Sequence, residues 1–205
     1  MIQSRKSTLK HLIKKDISFV SLILIGFFLY SLFFAVWIPS NHGLKDSLFF
    51  ITPLWFFTGI IVVMCYKEDK HSTATFLKAL PVSKAMIVQE KFILSQIILL
   101  YGIIQALIMY LFFPAIPFPL TLSQILLEIA YAEFYFGSYL YTFFKFNFLF
   151  ARIPQNLIIG AWFFLYMNKI SFNSLTIPLF YSILIFIASL GSVYLFMKLS
   201  IKHLE

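Results

Sequence analysis

The sequence predicts an all-α membrane protein with six transmembrane helices and both termini in the cytoplasm. The first observation is compositional: the chain of 205 residues is 61% hydrophobic and 12% charged, with a mean hydropathy of +0.91. A soluble domain of this size could not hide that much apolar surface, because its own surface has to be covered by polar atoms. The natural solvent is a bilayer, and we expect a multi-pass protein of a cell membrane, of the bacterial cytoplasmic type.

The second observation is that six apolar blocks are long enough to cross the hydrocarbon core, which takes about 20 apolar residues. The predicted spans are residues 17–38, 48–66, 92–113, 122–144, 153–170 and 177–199. Turn-forming residues separate them, as in the segment 39–43. The fifth block has the least secure limits, because Pro154 weakens its start and Lys169 has to reach outward from its end.

The third observation is the distribution of basic residues, which favour the cytoplasmic side of membrane proteins. With both termini inside, two of the 16 basic residues, Lys45 and Lys169, lie in outer loops. The inner ones are Arg5, Lys6, Lys10, Lys14, Lys15, Lys67, Lys70, Lys78, Lys84, Lys91, Lys145, Arg152, Lys198 and Lys202. A net charge of +8 in a soluble protein would indicate nucleic acid. Here the charges lie between apolar blocks, and we expect no nucleic-acid partner.

Residues 1–16, ahead of the first span, predict an interfacial amphipathic helix. Its apolar residues fall on one face at helical spacing, and its lysines lie off that face. The apolar face consists of Ile2, Leu9, Leu12 and Ile13. Such a helix lies in the headgroup plane and is held by anionic lipid. The alternative is a merely basic cytoplasmic tail.

Residues 67–91 form the longest charged stretch, which we place in the cytoplasm between the second and third spans. Ser72 can cap a short helix with one apolar stripe. Pro81 ends this helix, since the residue before a proline disfavours helical geometry, and Ser83 caps a new helix that runs into the third span. The exposed stripe needs a cover, either lipid headgroups or a partner protein. The stripe consists of Thr73, Phe76, Leu77 and Leu80.

Four polar side chains lie inside predicted spans and are candidates for a translocation path. They are Gln96, Gln105, Glu128 and Glu133. Ionisable groups at membrane depth usually face a bundle interior or a water-filled cavity. The two glutamates point about 140° apart on a helix, so we do not expect one carboxylate pair. The alternatives are an outer-edge position for Glu128, a structural hydrogen bond for Glu133 and hydrogen bonds to neighbouring helices for the glutamines.

Motifs for catalysis and metal binding are absent from the sequence. There is no phosphate-binding G-x-x-x-x-G-K-[ST] loop and no H-E-x-x-H zinc signature. The four histidines lie outside the spans, so none can activate Ser138, and Cys65 is the only cysteine. We expect no enzyme, no metal site and no cofactor bound by this chain.

The stretch from 68 to 91 resembles the ABC-2-type transporter permeases. The matching residues are Glu68-Asp69-Lys70, the run TFLKALPVSK from Thr75 to Lys84, Ile87-Val88 and Lys91. Members of that family commonly show a leucine-rich short helix, a Leu-Pro-x-Ser-[Arg/Lys] break and a basic residue leading into the third span. The resemblance implies the membrane subunit of an ABC exporter, in which this loop is a coupling helix that docks on a separate ATPase. ATP and Mg²⁺ would then bind to that partner.

The resemblance also implies which residues dock and what else the transporter needs. The implied docking positions are Thr73, Phe76, Leu77, Leu80, Pro81 and Lys84. A second permease subunit, identical or similar, would complete the pathway, and the cargo would be amphipathic or lipophilic, a peptide or an antimicrobial compound. The outer loop 171–176 is too short for the re-entrant helices of larger relatives. Two alternatives remain: a non-transporting immunity or assembly protein that binds a partner through the same loop, and a channel or secondary carrier using Glu133.

Overall fold

The structure is a computed structural model that describes residues 2–37, 59–66, 83–112, 121–153, 155–157 and 177–204. Four long helices make up most of these residues. They are α1 (Ile2–Trp37), α2 (Lys84–Phe112), α3 (Leu122–Lys145) and α4 (Leu179–Leu204). Shorter helical stretches cover 59–66, 148–153 and 155–157. Within these ranges there is no strand, which confirms the all-α prediction.

Two helices in the described ranges are long and apolar enough to cross a membrane, Lys84–Gln105 within α2 and the whole of α4. They overlap the predicted third and sixth spans. Helix α3 covers the predicted fourth span and ends one residue beyond it. The predicted second and fifth spans lie mostly outside the described residues. Six spans and cytoplasmic termini therefore stay predictions.

Helix α1 is continuous from the predicted interfacial segment into the predicted first span. Its 36 residues extend over about 54 Å, well beyond the roughly 30 Å of a hydrocarbon core. In its first part, apolar side chains are half-buried and lysines are exposed, as the amphipathic pattern predicts. The half-buried residues are Leu9, Leu12 and Ile13, and the exposed ones are Lys10, Lys14 and Lys15. A position in the headgroup plane stays a prediction.

Helices α3 and α4 form the most extensive helix pair and run parallel to each other. Near their starts, the hydroxyl oxygens of Ser123 and Ser182 lie 2.5 Å apart. Further along, the rings of Phe134 and Phe196 lie 5.9 Å apart. Gly137 permits this close approach, because a Cβ there would lie 2.7 Å from Cδ2 of Phe196. A parallel arrangement is what the six-span topology requires of the fourth and sixth spans.

Local hydrogen bonds fix both ends of α3. At its start, Thr121 and Gln124 form a capping box, in which Thr121 Oγ1 accepts from the Gln124 backbone (3.3 Å) and Gln124 Oε1 accepts from the Thr121 backbone (2.7 Å). At its end, the Phe146 backbone N–H donates to the Thr142 carbonyl (3.0 Å). These caps fix the two ends of the helix on which Glu128 and Glu133 lie.

Helix α1 packs on α2, and α2 in turn makes smaller contacts with α3 and α4. One apolar core runs through all of these contacts and includes the short stretch 59–66. Its fully buried members include Val20 of α1, Val88 of α2 and Phe136 of α3. The described bundle thus consists of two helix pairs, α1 with α2 and α3 with α4, joined mainly through α2.

Candidate functional site

Of the predicted docking positions, the structure describes Lys84. The other five, Thr73, Phe76, Leu77, Leu80 and Pro81, lie outside the described residues. Their docking role stays a prediction that follows from the sequence and the resemblance.

Ser83 begins helix α2, as the sequence predicts. Its hydroxyl accepts a hydrogen bond from the Met86 backbone N–H (3.3 Å), and its carbonyl accepts from Met86 (2.9 Å) and Ile87 (3.4 Å). The helix then continues for 29 residues, a length of about 43 Å. Ser83 is thus joined directly to a long, unbroken helix.

Lys84 connects the start of α2 to the end of α4. Its ammonium group donates to the carbonyl oxygen of Leu204 (2.8 Å). This oxygen belongs to the last turn of α4, where unpaired carbonyls carry partial negative charge and favour a cation. The start of α2 and the end of α4 thus meet at one end of the bundle.

Two of the four candidate path residues lie in direct contact. The Gln96 side-chain amide donates to Oε2 of Glu133 (2.7 Å), and this bond joins α2 to α3. Glu133 is buried and Gln96 half-buried. Gln96 lies twelve residues after Lys84, which places the pair about 18 Å from that end of the bundle. The structural hydrogen bond that the sequence allowed for Glu133 is therefore present.

Glu128 and Gln105 are both buried, at 5% and 2% exposure, and they do not join that pair. Neither carboxylate oxygen of Glu128 has a hydrogen-bond partner among the residues the structure describes. The alternative of an exposed outer-edge position does not fit this burial. A buried carboxylate with no partner is costly, so burial among the described residues favours the neutral acid at this position.

A cluster of buried charges where α1 meets α2 was not predicted from the sequence. The Lys91 ammonium donates to Oδ2 of Asp16 and lies 3.5 Å from Oε2 of Glu90. All three residues are buried, with exposures of 3 to 5%. Lys15, whose side chain is 53% exposed, approaches the other carboxylate oxygen of Asp16 at 3.1 Å. Two lysines thus face two carboxyl groups, and the cluster is balanced in charge.

The electrostatics of Asp16 are governed by this cluster. Burial by itself would raise the pKa of the Asp16 carboxyl, but the nearby Lys91 ammonium and the hydrogen bond that it donates outweigh burial and lower that pKa. The carboxylate form of Asp16 is therefore favoured at neutral pH, and the contact with Lys91 is an ion pair.

One feature of the sequence could have indicated this cluster, although the arguments from composition and topology did not draw on it. Asp16 directly precedes the predicted first span, and Glu90 and Lys91 directly precede the third. Acidic residues are scarce, with eight in the chain, so a carboxylate at each of two span entrances is unusual. Lys91 was interpreted as a topology signal and as the basic residue of the resemblance, and Asp16 as the end of the interfacial helix.

The fold and the polar contacts define a helical membrane protein whose charged contacts lie at one end of the bundle and whose buried amide and carboxyl groups lie within it. A family model described as an ABC-2 family transporter protein matches residues 11–202. The chain belongs to this family. The match confirms the resemblance noticed in 68–91 and extends it over nearly the whole chain. Neither the curated proteins nor the solved structures give a significant match.

Family membership fixes the class of function. The chain is a transport protein of the permease type, located in a membrane, and such permeases normally work with an ATPase partner. The catalytic work of ATP hydrolysis is not typical of this class of subunit.

Proposed function

We propose that the chain is the permease subunit of an ATP-driven exporter and that a separate ATPase docks on residues 72–84. One observation carries the proposal: the last residues of this segment, Ser83 and Lys84, begin α2, a helix that runs without a break through the bundle to Phe112. A helix of this kind transmits an axial or tilting force with little loss, because each turn is held by backbone hydrogen bonds. The family match supports the need for an ATPase partner.

The coupling would proceed as follows. ATP binding closes the ATPase dimer, and the apolar stripe around Phe76 and Leu80 moves with the ATPase surface that covers it. The motion enters α2 at Lys84, whose contact with Leu204 at 2.8 Å also links it to the end of α4. Lys84 would therefore share the displacement between two helices at the cytoplasmic end.

The interior contact between Gln96 and Glu133 is a suitable place for the bundle to open. It is a single side-chain hydrogen bond between α2 and α3, which otherwise contact each other less than α3 and α4 do. Separating the two helices there would uncover an amide and a carboxyl group at membrane depth. These groups, with Glu128 and Gln105, would then offer polar contacts to a cargo that is otherwise apolar.

Such a path suits an amphipathic or lipophilic cargo, and we propose a peptide or an antimicrobial compound. The chain contains 27 Phe, 11 Tyr and 3 Trp residues, which supply apolar surface with some polar edges. Two permease subunits, identical or similar, would form the complete pathway, because one chain supplies half of the spans that such an exporter uses.

The test is co-purification in mild detergent, followed by an ATPase assay of the recovered proteins. Wild type is compared with Phe76→Glu/Leu80→Glu, which places two carboxylates on the predicted stripe. The matched control is Thr75→Glu/Lys78→Gln, which lowers the net charge by the same two units on the opposite side of the predicted helix. We expect an ATPase with wild type and with the control, and its loss with the stripe variant.

Recovery of the ATPase with the stripe variant at the wild-type level would contradict docking through this segment. If a well-folded wild-type chain brings down no ATPase, the coupling function fails. The immunity or assembly alternative then takes its place, because it requires a partner at the same loop and no ATP hydrolysis.

A further inference from the structure

The buried charge cluster joins the two helices that enter the bundle from the same end. Lys91 lies two turns into α2, seven residues after Lys84, and Asp16 lies on α1 next to the predicted first span. Their contact bridges 75 positions of sequence. The cluster is thus a link between the helix that would receive force and a neighbouring helix.

This link is more restrictive than apolar packing. Apolar surfaces are held in register by the fit of their side chains alone, because the attraction between them has no direction. Displacing α1 along α2 would instead separate the ammonium group from its carboxylate in a site at 3 to 5% exposure. Neither group could then recover its hydration, so the buried pair fixes the relative position of the two helices.

The rest of the bundle is joined differently. In the described ranges, α1 makes its main helix contact with α2 and none of comparable extent with α3 or α4. The hydrogen bonds from α2 to the other helix pair include Gln96 to Glu133 and Lys84 to Leu204. The contact with α1 differs from these bonds in being a buried ion pair between two charged side chains, which restrains movement of α2 on that side.

We propose that Lys91, held by Asp16 and Glu90, is a positioning residue that makes α1 move together with α2 when force arrives from the coupling segment. The ion pair converts two helices into one moving unit, which shifts against the pair formed by α3 and α4. This inference rests on the proposed function, because it requires an ATPase-driven motion of α2.

The test measures distances between spin labels in the purified complex of the chain with its ATPase. The only cysteine, Cys65, is replaced in a Cys65→Ser background, and new cysteines are placed at exposed positions. Leu22→Cys with Ile97→Cys reports on α1 and α2, and Leu22→Cys with Leu195→Cys reports on α1 and α4. These positions are 78%, 39% and 55% exposed. Distances are recorded without nucleotide and after trapping with MgATP and vanadate.

In the otherwise wild-type chain, trapping should change the α1–α4 distance by at least about 1–2 Å, the common size of helix shifts, and leave the α1–α2 distance unchanged. Lys91→Met should make the α1–α2 distance change as well. The matched control is Lys15→Met, which removes the same type of side chain from the exposed neighbour of Asp16. This control should behave like wild type.

Two further variants keep the test decisive. If Lys91→Met alone does not fold, Asp16→Asn/Lys91→Met removes both members of the pair and should fold, since replacing a whole buried pair is better tolerated than removing one partner. In the charge-exchanged variant Asp16→Lys/Lys91→Asp, the α1–α2 distance should again stay the same with and without trapping. A role in packing alone predicts no such recovery.

The outcomes separate this inference from the proposed function. An α1–α2 distance that stays fixed in the variant without the pair, while the α1–α4 distance still responds to ATP, overturns the inference and leaves the proposed function standing. So does an α1–α2 distance that already changes in wild type. If neither distance responds in a complex that hydrolyses ATP, coupling through α2 is wrong, and the inference is overturned with it.

Discussion

Replacing Lys91 by methionine should destabilise the protein strongly, although the two side chains have similar volumes. The variant leaves Asp16 and Glu90 buried without the ammonium group between them. Removing one partner of a buried pair costs about 3–5 kcal/mol. Lys15 stays at 3.1 Å from Asp16, and a contact with a half-exposed lysine offsets up to about 1 kcal/mol. We therefore expect a loss of about 2–5 kcal/mol in the free energy of unfolding.

The matching change on the other side should cost less. Asp16→Asn leaves Lys91 with Glu90 at 3.5 Å, so the ammonium group keeps a counter-charge, and we expect a loss of about 1–3 kcal/mol. The double variant should lose clearly less than the two single losses combined, because the second substitution removes a group that the first had left unpaired. The expected interaction energy is about 1–3 kcal/mol.

The assay is equilibrium unfolding of the four proteins in mixed micelles by titration with a denaturing detergent, followed by circular dichroism. The four free energies form a double-mutant cycle. Single-variant losses that add to within about 0.5 kcal/mol in the double variant would show that the two side chains do not interact. That result would refute the ion pair as the contact that holds α1 to α2.

Three more expectations follow from other contacts. The lowered pKa of Asp16 means that its pair stabilises the fold fully above the unfolded pKa of about 4 and loses this effect as the pH falls through the lower folded value. The stability difference between wild type and Asp16→Asn should therefore shrink when thermal unfolding is followed from pH 6 towards pH 3. Gly137→Ala should lower the free energy of unfolding by about 1 kcal/mol, because its Cβ would lie 2.7 Å from the Phe196 ring of α4. Gly191→Ala has no atom within 4 Å of the added Cβ and should raise the free energy of unfolding by up to about 1 kcal/mol in the same assay. Gln96→Leu should lower the free energy of unfolding by about 1–3 kcal/mol, because Glu133 loses its hydrogen-bond donor. Glu133→Gln keeps an acceptor oxygen and should stay within about 1 kcal/mol of wild type. Equal losses for the two variants would contradict the hydrogen bond.

Local properties of the chain explain what the sequence could predict. The start of α2 followed from a proline and a capping serine within a few residues of each other, and the structure has Ser83 in that role. The limits of α3 followed from an apolar block that ends at a lysine. In each case the determining residues are neighbours in sequence, so no knowledge of packing was needed.

Contacts between helices were beyond the same reasoning. The rotation of each helix about its own axis decides whether Gln96 meets Glu133 or another residue, and the sequence gives only the angle between residues on one helix. A structural hydrogen bond was one of the alternatives for Glu133, and its partner could not be named. Asp16 and Lys91 are 75 residues apart, and the charge of Lys91 already had a sufficient explanation in topology.

Charges at the entrance of a span can serve topology and structure together, and the two uses require different surroundings. A topology signal needs a lysine on the cytoplasmic side, and exposed residues such as Lys14 and Lys198 satisfy this. A structural lysine also needs burial and a carboxylate from another helix. Lys91 meets both conditions at 3% exposure, with Asp16 supplied by α1. An exposed lysine could replace it for orientation in the membrane but could not hold α1 and α2 at one relative position, and for that reason stability and distance measurements, more than topology mapping, distinguish its role.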